Sequence, residues 1–307
     1  MSGEGLTYYD QPLLQQPVWK WMIPAYYFVG GMTGAALVMS AAAQVRSDFS
    51  GRCELIRRCQ WIAFGGAGVS AVLLVADLGR PEKFLNMLRV FRPTSPMNMG
   101  AWILSGVGVT APGALLLQGR NGLLGFVGSA CGLAAGLFGA ALATYTGVLV
   151  SNSAVPVWQE SRRAMPLLFG ASAMASVGSL LHIVPSTEEG RRIAGTFGRI
   201  GQVAELIAGA VMERQASRVE RVGRPFKREV SGAMWRTAAA LTAGSVLLAV
   251  LPGRSKTKRV ASGVMGMLGS ALMRFSIEQL GKASARDARA SFQLQRTGQG
   301  AVKVWQK

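Results

Sequence analysis

Two kinds of residue in this sequence could move protons: carboxyls at or inside apolar segments, and tyrosines at their ends. Asp77 closes an apolar run that starts at Trp61, and a carboxylate at such a boundary needs a partner. Arg80 stands one helical turn away at i+3, so Asp77 is either a proton relay or a structural clamp for the stretch it opens. Glu205 lies within a second run, 193–213, beside Arg199, Gln202 and Glu213. An acid inside an apolar span is a functional group by default, and pairing with Arg199 or a neighbouring helix would satisfy it equally. Tyr145 falls about one to two turns before the end of another run, where a buried phenol needs a hydrogen-bond partner. Tyr26 and Tyr27 open the first run, and the aromatic belt of a membrane interface accounts for them as readily as chemistry does. His182, the sole histidine, is a proton-route group or a satisfied helix-end residue. Arg274 and Glu278, at i and i+4, are expected to pair with each other.

Other chemistries lack their residues. Cys53, Cys59 and Cys131 form no CxxC or Cys/His spacing, so they offer neither a disulfide framework nor an iron–sulfur ligand set. Cys131 reads as a small packing residue. One histidine cannot supply the paired axial ligands of haem b anchors. The expectation is a chain with no haem, metal or iron–sulfur centre of its own.

The elements that carry these residues are membrane spans. Only 16% of the 307 residues are charged, against about 25% in soluble domains, and 50% are hydrophobic. The charges fall in blocks between apolar runs of transmembrane length, which is the pattern of a polytopic membrane protein. No short cleavable leader precedes the first run. The net charge of +18 is spread over every loop with no nucleic-acid module, so a nucleic-acid partner is rejected. Eight spans are expected, at about 22–43, 59–76, 100–117, 123–150, 164–184, 193–213, 237–251 and 260–280. The sixth is the weakest, because its internal charges must face protein or a cavity. Residues 1–21 read as a surface arm, 22–281 as the transmembrane domain and 282–307 as a polar tail. An even number of spans puts both termini on one face, side A. The hinges 77–99, 151–163 and 214–236 then lie on side A, and the shorter loops 44–58, 118–122, 185–199 and 252–259 on side B. Gly30 and Gly34 form a GxxxG pair, read as helix packing rather than phosphate binding.

The most ordered hinge carries Asp-Leu-Gly-Arg-Pro at 77–81, then Arg-Pro-Thr-Ser-Pro-Met at 92–97 and Gly100. Tyr-Tyr-Phe-Val-Gly-Gly at 26–31, Tyr-Thr-Gly-Val-Leu-Val-Ser at 145–151, Pro-Val-Trp at 156–158 and Met-Pro-Leu-Leu-Phe at 165–169 accompany it. In these motifs the chain resembles the polysulfide reductase membrane-subunit family, also called NrfD or PsrC, over most of residues 17–285. The resemblance implies an all-α integral membrane protein of eight or more helices with no cofactor of its own. It also implies exchange of electrons between membrane quinone, menaquinone or ubiquinone, and a four-cluster ferredoxin-like iron–sulfur subunit. That subunit would serve a molybdopterin enzyme or a multihaem cytochrome. Some members carry a His or Asn near the start of span one as a quinone ligand; span one here has no His.

By the same resemblance Tyr145 is the first candidate for the quinone-oxygen contact, with Tyr26 and Tyr27 behind it. Asp77 and Glu205 become possible proton relays, and Arg80, Arg92 and Ser95 residues that cap or position the hinge. The expected function is a quinone-reactive anchor subunit of a respiratory oxidoreductase in the cytoplasmic membrane, with its iron–sulfur partner on side A. Two other readings stay open: an anchor that keeps the fold without quinone chemistry, and a transporter. The latter should show clear inverted repeats, which are absent here.

Overall fold

The computed structural model describes residues 14–45, 53–78, 80–185, 187–227, 229–252, 255–287 and 289–290. Most of the expected N-terminal arm and the tail beyond 290 lie outside them. Among these residues every regular element is helical: α1 (Met22–Val45), α2 (Cys53–Ala76), a 3-10 segment (Pro81–Leu88), α3 (Pro96–Leu117), α4 (Gly122–Ser151), α5 (Pro156–Glu160), α6 (Met165–Ile183), α7 (Glu188–Ala216), α8 (Glu220–Lys227), α9 (Glu229–Val250) and α10 (Lys256–Arg286). The starts are written locally. Ser95 caps α3 by accepting from the Asn98 amide (3.5 Å), with Pro96 in the first turn. Thr187 caps α7 by accepting from the Gly190 amide (3.2 Å). The α3–α4 turn is short because Gly119 and Gly122 take φ of +84° and +64°, which side chains resist.

The long helices form two groups of four. In the first, α1 packs on α2 and α4, and α3 on α4; in the second, α6 pairs with α7, α9 with α10, and α10 with α6. α1 and α4 join the groups through α6. Helices in lipid approach where side chains are small. A Cβ on Gly34 would fall 2.3 Å from the Gly139 carbonyl oxygen, so α1 and α4 touch backbone to backbone. Gly34 therefore packs as its motif suggests, whereas Gly30 faces Tyr26 and Ser70 instead. A Cβ on Gly178 would fall 2.3 Å from Cα of Gly198, which clamps α6 to α7.

Among the described residues seven helices are long and apolar enough to cross a membrane; α7 is not one of them. Contacts at the two faces require it to cross nonetheless. Lys282, near the end of α10, donates to the Trp19 carbonyl just before α1 (2.9 Å). Trp158 of α5 stacks on Trp19 (5.7 Å between centroids, 16° between planes) and donates to the Ile277 carbonyl (3.0 Å). The entrance to α1 and the exit of α10 thus share side A, which needs an even number of crossings. At side B, Gln44 and Gln60 donate to Gln118, and Arg259 donates to the His182 carbonyl (3.2 Å). α7, with 29 residues, supplies the eighth crossing. It turns Ile200, Val203, Ile207 and Val211 outward and buries Gln202 and Glu205. Gln202 donates to Ser179 (3.2 Å) and Ser245 (2.8 Å), so the polar side chain is satisfied inside the bundle.

Several expectations need correction. The stretch 214–236 is not an open hinge: the end of α7, α8 and the first turns of α9 account for nearly all of it. Side B is tighter than expected, because α2 starts at Cys53, α7 at Glu188 and α10 at Lys256. α10 runs on to Arg286, so the polar stretch after 281 begins as helix, which overturns no expectation. Helices of this kind outrun their apolar stretches because charged ends extend into water and headgroups. Arg274 and Glu278 do not pair. Glu278 is bridged to Lys282 at its own i+4, the favoured acid-before-base order, and Arg274 turns inward.

Candidate functional site

On side A, the end of α2 and the 3-10 segment roof a cavity of about 190 Å³ between α1, α3 and α4. Its walls include Ile23, Leu74, Phe84, Met87, Ala101 and Leu149. The polar groups among the lining residues are those of Tyr26, Tyr27, Tyr145, Trp19 and Asp77. This is small beside the ~300–1,000 Å³ of drug-sized clefts. It suits one flat ring entered end-on rather than a whole long-chain molecule.

Each phenol is placed by its helix. Tyr26 and Tyr27 are 1% exposed, and Tyr27 packs edge-on against Phe169 (5.8 Å) and Trp19 (6.3 Å). Tyr145 reaches the cavity from α4 because α3 offers no side chain in its path. A Cβ at Gly100 would lie 2.4 Å from Cε2, Cζ and Oη of Tyr145. The Tyr26 and Tyr145 hydroxyls are 2.9 Å apart and hydrogen-bonded. Either can donate, and whichever accepts keeps its own O–H proton free. The Tyr27 hydroxyl is buried with no hydrogen-bond partner among the described residues. Two phenolic donors are therefore left unused beside an apolar cavity, where an unmade hydrogen bond is costly.

Asp77 stands at the lip of this cavity, half-buried at the end of α2. It forms no ion pair with Arg80 within 4 Å, so of its two readings the clamp through Arg80 is not made; Arg80 is exposed. The hinge is held by Asn98, which the sequence reading did not single out. Its Nδ2 donates to the carbonyls of Met87 (2.6 Å) and Val90 (2.9 Å), and its Oδ1 accepts from the Arg92 amide (2.8 Å). Arg92 thus serves through its backbone, and Ser95 as the α3 cap. Asn98 could have been noticed as an amide inside the first turn of a proline-led helix, a position that favours side-chain-to-backbone bonds.

Glu205 does not join the tyrosines. It lies between α7 and α10 beside a second cavity of about 140 Å³ with Leu168, Trp235 and Met273. Ser270 donates to its Oε2 (3.2 Å), while Oε1 lacks a hydrogen-bond partner among the described residues. Arg274 supplies the opposite charge in this region. Its Nη2 donates to the Phe169 carbonyl (2.6 Å) and its guanidinium lies 4.0 Å from the centroid of the Phe169 ring. Gly31 makes room for that guanidinium, since a Cβ there would be 3.0 Å from Nη2. Phe169 touches both Tyr27 and Arg274, so packing runs from the tyrosine cavity as far as the Arg274 guanidinium. Arg199 stays apart on the α7 surface, near Thr196. His182 lies on side B, far from the tyrosine cluster in the fold.

Fold and site together define a polytopic helical membrane protein with a phenol-lined cavity at one face. The profile of the family described as "Polysulphide reductase, NrfD" matches residues 11–192, more than half of the chain, and the chain belongs to that family. It is a multi-pass integral membrane protein, and members of this family are membrane subunits of redox complexes that work with other redox subunits. The match ends within the first turns of α7, so it covers the tyrosine cavity and its hinge but not Glu205 or Arg274. No curated protein matches the chain.

Proposed function

We propose that the cavity takes the head ring of a membrane quinone, menaquinone or ubiquinone. The chain would then exchange electrons between that quinone and a four-cluster ferredoxin-like iron–sulfur subunit on side A. That subunit would serve a molybdopterin enzyme or multihaem cytochrome at the cytoplasmic membrane. The observation that carries the reading is the Tyr26–Tyr145 hydroxyl pair, which leaves one phenolic proton for an acceptor inside an apolar slot. A quinone carbonyl is such an acceptor, and the apolar walls suit its ring. Reduction of a quinone takes up two electrons and two protons, and quinol oxidation returns them. The electrons come from or go to the iron–sulfur partner. The phenols orient and hydrogen-bond the reacting oxygen, and Asp77 at the lip carries protons between cavity and water.

Tyr145→Phe keeps the ring and deletes the hydroxyl. The assembled complex should form normally and turn quinone over at least about tenfold more slowly, as expected from losing a hydrogen bond that strengthens at the transition state. A variant complex that assembles and turns over quinone at the parental rate would sink this reading. Absence of quinone turnover in the unmodified complex would instead favour an anchor without quinone chemistry.

A further inference from the structure

Another cavity lies at the opposite face and takes no part in this chemistry. It measures about 570 Å³ and opens on side B, where α6 and α9 end and α7 and α10 begin. Five cations line it, Arg191, Arg192, Arg199, Lys258 and Arg259, against one carboxylate, Glu188. They come from two helices far apart in sequence. The first turns of α7 and α10 both contribute, so two helix N-termini add their positive ends to the same space. The side chain of Ser255, the N-cap of α10, makes no capping bond to the α10 amides. Gly195 leaves the floor open beside His182, because a Cβ there would lie 2.9 Å from the imidazole Nε2. Leu248 and Ala249 of α9 form an apolar wall on one side.

We infer that this cleft binds a phosphate-bearing anion, and that its occupant is the headgroup of an anionic phospholipid. The charge and the two helix starts specify the phosphate. The level of the cleft specifies the source. It lies at the side B ends of α6 and α9, where the spans must leave the bilayer, and its apolar wall continues onto the exposed residues Leu247 and Val250. Basic pockets between helix ends at this depth take acidic headgroups, and the effect of each cation near the surface is about five-fold in affinity. The cleft would hold one lipid where α6, α7, α9 and α10 meet.

The test is binding to the full chain in neutral detergent, read by native mass spectrometry and by the thermal midpoint. The probes are phosphatidylglycerol, phosphatidylcholine and inorganic phosphate. Phosphatidylglycerol should bind in preference to phosphatidylcholine and raise the midpoint, with the preference shrinking as salt rises. Arg192→Gln with Arg199→Gln should weaken phosphatidylglycerol about thirty-fold and leave phosphatidylcholine unchanged. Lys258→Gln, in the first turn of α10, should weaken it about five-fold and serves if the double variant does not fold. Equal binding of the two lipids by the parental chain overturns the proposal, as does a folded variant that keeps the parental preference. If millimolar inorganic phosphate displaces phosphatidylglycerol, the anion site stands and its assignment to lipid is wrong.

Discussion

Gly100→Ala tests the tyrosine cavity without touching a group that does chemistry. The added methyl carbon would lie 2.4 Å from three Tyr145 atoms, including the phenol oxygen, whereas ordinary contact begins near 3.4 Å. The ring must therefore retreat by about 1 Å. The Tyr26–Tyr145 hydrogen bond, now 2.9 Å, would stretch beyond useful length unless α3 itself moved. A misplacement of about 1 Å in a positioned group costs up to about a hundredfold in rate, so quinone turnover should fall between about tenfold and a hundredfold. Gly108 supplies the control: it lies on the same helix, and a Cβ there meets nothing within 4 Å. Gly108→Ala gains the same helix propensity, up to about 1 kcal/mol, with no clash. Quinone-dependent turnover of the assembled complex should separate the two variants, with Gly108→Ala at the parental rate. Parental turnover by a correctly assembled Gly100→Ala complex would show that the position of Tyr145 does not matter to the reaction, and the proposed site would fall with it.

Two further outcomes follow from the polar contacts. Asn98→Ala removes three hydrogen bonds from a partly exposed hinge, so stability should drop by about 1–3 kcal/mol. Tryptic cleavage after Arg89 should quicken, and unchanged cleavage would mean that the prolines alone hold the hinge. Arg274→Met leaves Glu205 buried without its opposite charge and should destabilise the chain by about 3–5 kcal/mol in detergent. Adding Glu205→Gln should recover much of that loss; a double variant no more stable than the single would show that the two charges are not coupled.

Most of the architecture was legible because lipid makes simple demands. Long apolar runs with charges between them become spans, and the polar stretch 77–99 was visible as an ordered hinge from its prolines. Tyr145 and Asp77 were readable singly, since each is a polar group at an apolar boundary. Their meeting around one site was implied by the family resemblance alone, because it depends on how α1, α3 and α4 pack. Gly100 belonged to a recognised motif, yet its role is to leave space for a side chain 45 positions on. The Arg274 error has a definite physical source. Two i,i+4 options competed for Glu278, and helix spacing alone could not show that Arg274 had a better environment across the bundle, at the Phe169 carbonyl and ring. α8 was missed because its charges resemble those of a loop, while Val222 and Phe226 are what bury it.

The eighth crossing bears on how the molecule is made. α7 leaves the ribosome after its α6 partner Ser179 but before Ser245, Ser270 and Arg274, the residues that satisfy Gln202 and face or bond Glu205. Its outward apolar stripe is too thin to hold it alone in lipid, where a buried charge near the middle of a helix costs about 2.5–3.5 kcal/mol. The Gly178–Gly198 contact lets it enter against α6, already membrane-seated. Its acid is provided for only when α10, the last long helix among the described residues, arrives. α10 is thus the keystone of biosynthesis: the group of helices that holds the tyrosines is complete well before the group that must lock around α7.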